Sequence, residues 1–150
     1  MWQISIVNTG GNIMGSVSIN ASAVMAAAMV KIAVEFIWHG PLFGTVWMRL
    51  AGLTDKIPMG MGKAHALSLV GSVAMSSVLA YSLAFGAAYL NISGFYAGII
   101  FGFLNWLGFI APVTLGGVIW EGKPWKLWML LNSSYLVSLL CMGVTLALWK

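Results

Sequence analysis

Lys31 and Glu35 stand four residues apart in an apolar run, 21–39, that holds no other lysine, arginine, aspartate or glutamate. Residues four apart share one face of a helix, so the two side chains can pair, although lysine-first is the weaker order for an isolated helix. A charge in hydrocarbon is costly even on lenient scales, and it faces a partner, a pore or a bundle interior. Three uses fit. The pair can be self-neutralised and buried against other helices. It can be a proton- or ion-coupled site, with Glu35 as the titrating carboxylate and Lys31 holding it ionised until a substrate displaces it. Or it can present charge to a partner subunit or pigment.

His39 continues this face one turn on, and His65 lies near the start of the next apolar run. A Glu35–His39–His65 cluster could relay protons or hold a metal. Two histidines without a firm third ligand fall short of a metal set, however, and interfacial histidines in water need no such role. No metal site is expected. Met59 and Met61, set between glycines, read as adaptable packing. Asn105 in the third apolar run, and Asn132, Ser133, Ser134 and Tyr135 in the fourth, need hydrogen-bond partners in hydrocarbon. Interhelical bonds are the ordinary solution, and a small polar cavity is the other. Glu121, beside Lys123 and Lys126, reads as a solvated cluster. Cys141 is the only cysteine, so it has no internal disulfide partner and reads as a small buried hydrophobe. No hydrolase triad, phosphate loop or Cys/His cofactor motif occurs, so no catalytic residue is assigned.

The elements that must position these residues follow from composition. The chain has 150 residues, of which 61% are hydrophobic and 7% charged. Mean hydropathy is +0.96. Soluble domains carry roughly 25% charged residues, so an all-α membrane protein of one domain is expected. The net charge of +4 comes from bases beside apolar runs, not from a nucleic-acid patch. Four runs, about 21–39, 66–90, 94–120 and 125–149, are long enough to cross a bilayer as helices, the open-chain form that pairs every backbone group within its own span. They predict a four-transmembrane-helix bundle over 21–150. Arg49, Lys56 and Lys63 fall in loop 40–65, and Lys123 and Lys126 fall in or beside loop 121–126. The positive-inside rule puts both loops in the cytoplasm and both termini outside. Nothing in residues 1–20 has the form of a cleaved signal peptide.

Residues 1–20 differ in kind. Trp2, Ile4 and Ile6, then Ile13, Gly15, Val17 and Ile19, alternate with polar or small residues around Asn8–Asn12. That pattern predicts an extracytoplasmic hairpin-like arm, packed on the bundle, another copy or another protein. Within the first loop, Leu42, Val46, Leu50 and Leu53 have helical spacing after Pro41, which suits a helix start. A short interfacial helix is expected there. Small residues recur every four positions at Ser68, Ser72, Ser76, Ala80, Ala84 and Ala88, and at Gly94, Gly98 and Gly102. Such faces let helices approach closely, and the two are expected to dock on each other or on a second copy. Pro112 should kink the third run and free a carbonyl that Thr114 or a neighbouring helix could satisfy.

Trp38–Thr54, reading WHGPLFGTVWMRLAGLT, resembles the signature of DUF1761, a family of small bacterial membrane proteins of unknown function. Met61–Leu67, Phe103–Phe109 and Trp120–Leu127 are similar to its further motifs. The resemblance covers about residues 21–150. It implies four helices in a bacterial inner membrane and no activity. The hairpin-like arm is an addition to the family pattern, and Lys31 and Glu35 stand where small or apolar residues are expected. The scarcity of polar chemistry favours a non-catalytic structural or accessory subunit of a larger membrane complex, or a homo-oligomer. The alternative is a small proton- or ion-coupled carrier or channel built on Glu35 and Lys31. A small enzyme acting on lipophilic substrates ranks last. No cofactor is expected, while bound lipid or pigment is compatible. The expected partners are the lipid bilayer and other membrane subunits or copies of the chain.

Overall fold

A computed structural model describes the backbone of residues 2–7, 13–53 and 61–149 and the side chains of 17–53 and 68–149. The expected turn at Asn8–Asn12 and Met59 lie outside the described residues, as do the side chains of Met61 and His65.

Strands β1 (Trp2–Val7) and β2 (Ile13–Ile19) pair antiparallel. Trp2 stands opposite Ile19 and Ile4 opposite Val17, and the register shifts between Ile6 and Val7. Val17 and Ile19 are buried in the main core with Ala23, Ala27, Ala84, Ala87 and Leu146. Of the three expected supports for the hairpin, it is therefore the bundle that carries it. An isolated two-stranded hairpin is marginal in water, so this docking matters.

Asn20 caps the next element, its side chain accepting from the Ser22 amide at 3.0 Å. Alanine-rich α1 (Ala21–Ile37) follows, and its apolar helix continues through a π-helical turn, Trp38–Leu42. Pro41 lies inside that turn rather than starting a helix, and α2 (Gly44–Leu50) begins three residues later. The spans of α3 (Met61–Tyr89) and α6 (Trp125–Leu148) are single long helices. The third run is divided into α4 (Phe95–Asn105), a second π-helical turn (Trp106–Ile110) and α5 (Ala111–Ile119). Pro112 sits at the start of α5, where its missing amide costs least. The Thr114 hydroxyl lies 2.7 Å from the Ile110 carbonyl and 3.2 Å from that of Ala111.

Among the described residues, four helices are thus long and apolar enough to cross a membrane. The most buried of them, α6, packs on α1, α3, α4 and α5. Its tightest neighbour is α4. A Cβ on Gly98 would sit 2.7 Å from the Gly143 carbonyl oxygen, and one on Gly102 would strike the Leu139 carbonyl. The glycine face of the third run therefore docks on α6, not on the Ser/Ala stripe of α3. The reason is complementary small residues on α6, Gly143 and Ala147, which let the backbones meet. Gly94 has a different task. With φ of +91° it turns the chain into α4, and its amide donates to the Ala147 carbonyl at 3.3 Å. On α3, Ser76, Ala80 and Ala84 are buried, Ser72 and Ala88 are half-buried, and Ser68 is exposed.

Candidate functional site

Lys31 is only 8% exposed, which places its charge inside the bundle. Its Nζ donates to Glu35 Oε1 at 2.6 Å within α1 and to Ser76 Oγ at 3.3 Å across to α3. The Lys31 side chain is 10% exposed and that of Glu35 24%, so the carboxylate has the more open position. Ser76 itself is fully buried.

A buried row on α6 adds to this polarity. Ser134, Ser138 and Met142 are buried and form a row apart from the Leu139–Gly143–Ala147 row that meets α4. Trp38 fixes the register, its Nε1 donating to the Leu130 carbonyl at 3.1 Å. The helices run antiparallel, so stepping back from Trp38 to Lys31 and forward equally from Leu130 reaches 137, beside Ser138. The same step for Glu35 reaches 133, beside Ser134. Both hydroxyls are buried without a hydrogen-bond partner among the described residues. A helical serine usually returns its proton to the carbonyl four residues back. For Ser134 that carbonyl belongs to Leu130 and already accepts the Trp38 indole.

The segment after Glu35 holds the charge pair in place. His39 Nδ1 lies 3.2 Å from the Glu35 backbone oxygen. That oxygen can only accept, so Nδ1 carries the proton and Nε2 is free to accept in the neutral ring. Trp47 meets the His39 ring edge-on at 5.5 Å, and Phe43 packs against Trp38 at 4.9 Å. Gly44 passes so close to the chain that a Cβ there would lie 2.7 Å from the His39 carbonyl oxygen. Tryptophan, histidine, proline, phenylalanine and glycine from 38 to 47 thus build one elbow, which ends α1 and pins it to α6.

A family model described as "Protein of unknown function (DUF1761)" matches residues 22–147. The chain belongs to the DUF1761 family. No curated protein and no solved structure matches it. In this DUF1761 protein the hairpin precedes the matched region, whereas the charge pair and the elbow lie within it.

A second polar group joins the third run to α6. Trp106 opens the second π-helical turn and donates to the Asn132 carbonyl at 3.1 Å. Thr114 Oγ1 lies 3.1 Å from Asn132 Oδ1, and Trp128 Nε1 donates to Thr114 Oγ1 at 3.2 Å. Both π-helical turns therefore open on a tryptophan bonded to an α6 carbonyl. The type and place of Trp38 and Trp106 were visible in the sequence, but nothing in their spacing pointed to a carbonyl on a distant helix. Asn132 and Asn105 each return Nδ2 to their own helix, at the Trp128 and Phe101 carbonyls, while Asn132 also bonds between helices through Oδ1 and its carbonyl. Tyr135 is half-buried within electrostatic reach of Glu35, and it lines a cleft of about 220 Å³ between α5 and α6. Cys141 is exposed rather than buried, because it stands on the outward flank of α6. Among the described residues, no group of three His, Cys, Asp or Glu side chains could hold a metal. His39 binds locally, and the side chain of His65 lies outside the described residues.

Proposed function

We propose that this chain is a multi-pass protein of a bacterial inner membrane whose interior pair, Lys31 and Glu35, is a proton-coupled ion site. Loops 40–65 and 121–126 face the cytoplasm and both termini face outward, in keeping with the basic residues those loops hold. The observation that carries this reading is a buried ammonium balanced by a single, more exposed carboxylate, with two buried hydroxyls on α6 that lack a partner among the described residues.

The coupling follows from electrostatics. In a low-dielectric interior, one charge of a pair is tolerated only while the other remains. Protonating Glu35 leaves the Lys31 ammonium uncompensated. The imbalance is relieved when an anion arrives at Lys31 or when Lys31 gives up its own proton. Either event moves charge through the site. Glu35 stands one turn from the elbow, so protons reach it from that end past His39. Four helices give little room for a path, so a dimer or trimer would complete it. In proteoliposomes carrying an internal pH dye, wild-type protein should dissipate an imposed gradient. Glu35→Gln should return the rate to that of empty vesicles while the protein inserts normally. Equal rates in both would reject the proposal.

A role as a subunit of a homo-oligomer or larger complex is favoured by a separate observation. The first described part of α3 leaves Gly71 and Ser72 only half-covered, so a small-residue face remains open to another helix. Native mass spectrometry after mild extraction would show a defined complex if that face is used and a bare monomer if it is not.

A further inference from the structure

The cleft between α5 and α6 joins two different chemistries. Its walls include Val113, Val118, Leu127 and Leu131. Val113 is 75% exposed, so the wall opens sideways onto the surface that lipid would cover. At the cleft's rim, in the turn joining α5 to α6, Lys123 Nζ lies 2.7 Å from Glu121 Oε2. Both side chains are more than half exposed. The turn itself is fixed. Gly122 has φ of +67°, the Lys123 amide donates to the Gly117 carbonyl at 3.0 Å, and the aliphatic stem of Lys123 lies over Gly117.

We propose that this cleft binds a phospholipid with a primary-amine zwitterionic headgroup, of the phosphatidylethanolamine class. Its phosphate meets Lys123, its ammonium meets Glu121, and the start of an acyl chain follows the apolar wall. The match is one of charge and of hydrogen bonding. A Lys–Glu pair carried on a fixed turn presents one cation and one anion, the complement of a zwitterion laid against it. A primary ammonium can donate hydrogen bonds to the carboxylate, which a quaternary choline cannot do. An anionic glycerol headgroup offers Glu121 no cation. The tryptophans around the turn, Trp120, Trp125 and Trp128, are of the type that occupies headgroup depth. The placement does not depend on which leaflet the turn occupies, nor on proton coupling at Glu35.

The test is native mass spectrometry of detergent-purified protein titrated with phosphatidylethanolamine, phosphatidylcholine and phosphatidylglycerol of identical acyl chains. Wild type should retain the ethanolamine lipid about fourfold more strongly than the other two, the scale of an exposed charge pair. Glu121→Gln and Lys123→Gln should each bring the three lipids to near parity. Both residues are exposed, so these variants should melt as wild type does. Water-soluble phosphoethanolamine should fail to compete, because it lacks the chain that fills the apolar wall. Equal retention of the three lipids by wild type, a preference unchanged in both variants, or competition by phosphoethanolamine at lipid concentrations would each overturn the proposal.

Discussion

Two helix interfaces of this DUF1761 protein are built on opposite principles. Between α4 and α6, Gly98, Gly102 and Gly143 bring backbone against backbone, leaving no space for even a methyl group. Between α1 and its neighbour α3, the contact carries Lys31, Glu35 and Ser76, and Ser134 and Ser138 are buried on α6. The first interface has no titratable group in its contact and no slack. The second holds a charge pair and a weak 3.3 Å bond, and α6 buries two hydroxyls that lack a partner among the described residues. Close packing makes an interface insensitive to pH and hard to reshape. Buried polar groups that lack full satisfaction make one that responds when a proton or ion arrives. On the proposed function, the contrast gives scaffold to one side of α6 and chemistry to the other.

The sharpest way to break this division is at the scaffold. Gly102→Leu would drive a side chain into the Leu139 backbone, which cannot yield as a flexible side chain would. A loss of about 3 kcal/mol or more is expected, at the upper end of overpacking effects. Reversible unfolding in mixed micelles, followed by circular dichroism, would measure it. On the polar side, Lys31→Met leaves the Glu35 carboxylate without its partner. The expected cost is about 3 kcal/mol, at the low end for a broken buried pair, because the half-open carboxylate can shed its charge by taking up a proton. The same unfolding experiment reads it.

How far the sequence foretold these two interfaces depended on the range of the interactions. Span lengths, the hairpin register and the Lys31–Glu35 pairing are local, set by hydropathy and by spacings of two or four residues. The choice of partner is not local. Gly98 and Gly102 announced a close contact but not its other half. Gly143 and Ala147, also four apart, offered the matching signal and were obscured by the polar residues nearer the start of that run. The tryptophan anchors were hidden for a related reason, since Leu130 is 92 residues from Trp38 and Asn132 is 26 from Trp106. The elbow from Trp38 to Trp47 depends on a π-helical turn, which has no strong sequence signature, so Pro41 read as a helix start.

Smaller substitutions sharpen the comparison. Ser76→Ala removes one acceptor from a buried ammonium, and about 1.5 kcal/mol should be lost, the low end for a hydrogen bond to a charge. If Ser76 were only another small residue in the stripe, alanine there would be neutral. Trp38→Phe removes the indole donor but leaves the Leu130 carbonyl its helical partner. A loss of about 1 kcal/mol is expected, and the freed carbonyl should let Ser134 return to its usual intrahelical bond. Amide hydrogen exchange along the first turns of α6 would report the loosened anchor.

The most direct test is the charge-free double variant Lys31→Met/Glu35→Gln, assayed in parallel for unfolding stability and for proton flux in proteoliposomes. Replacing both members of a buried pair by neutral residues of similar volume is close to neutral for stability. The double variant should therefore unfold within about 1 kcal/mol of wild type, yet dissipate a pH gradient no faster than empty vesicles. A double variant that keeps wild-type flux would contradict the assignment of chemistry to this interface and leave the pair a structural feature.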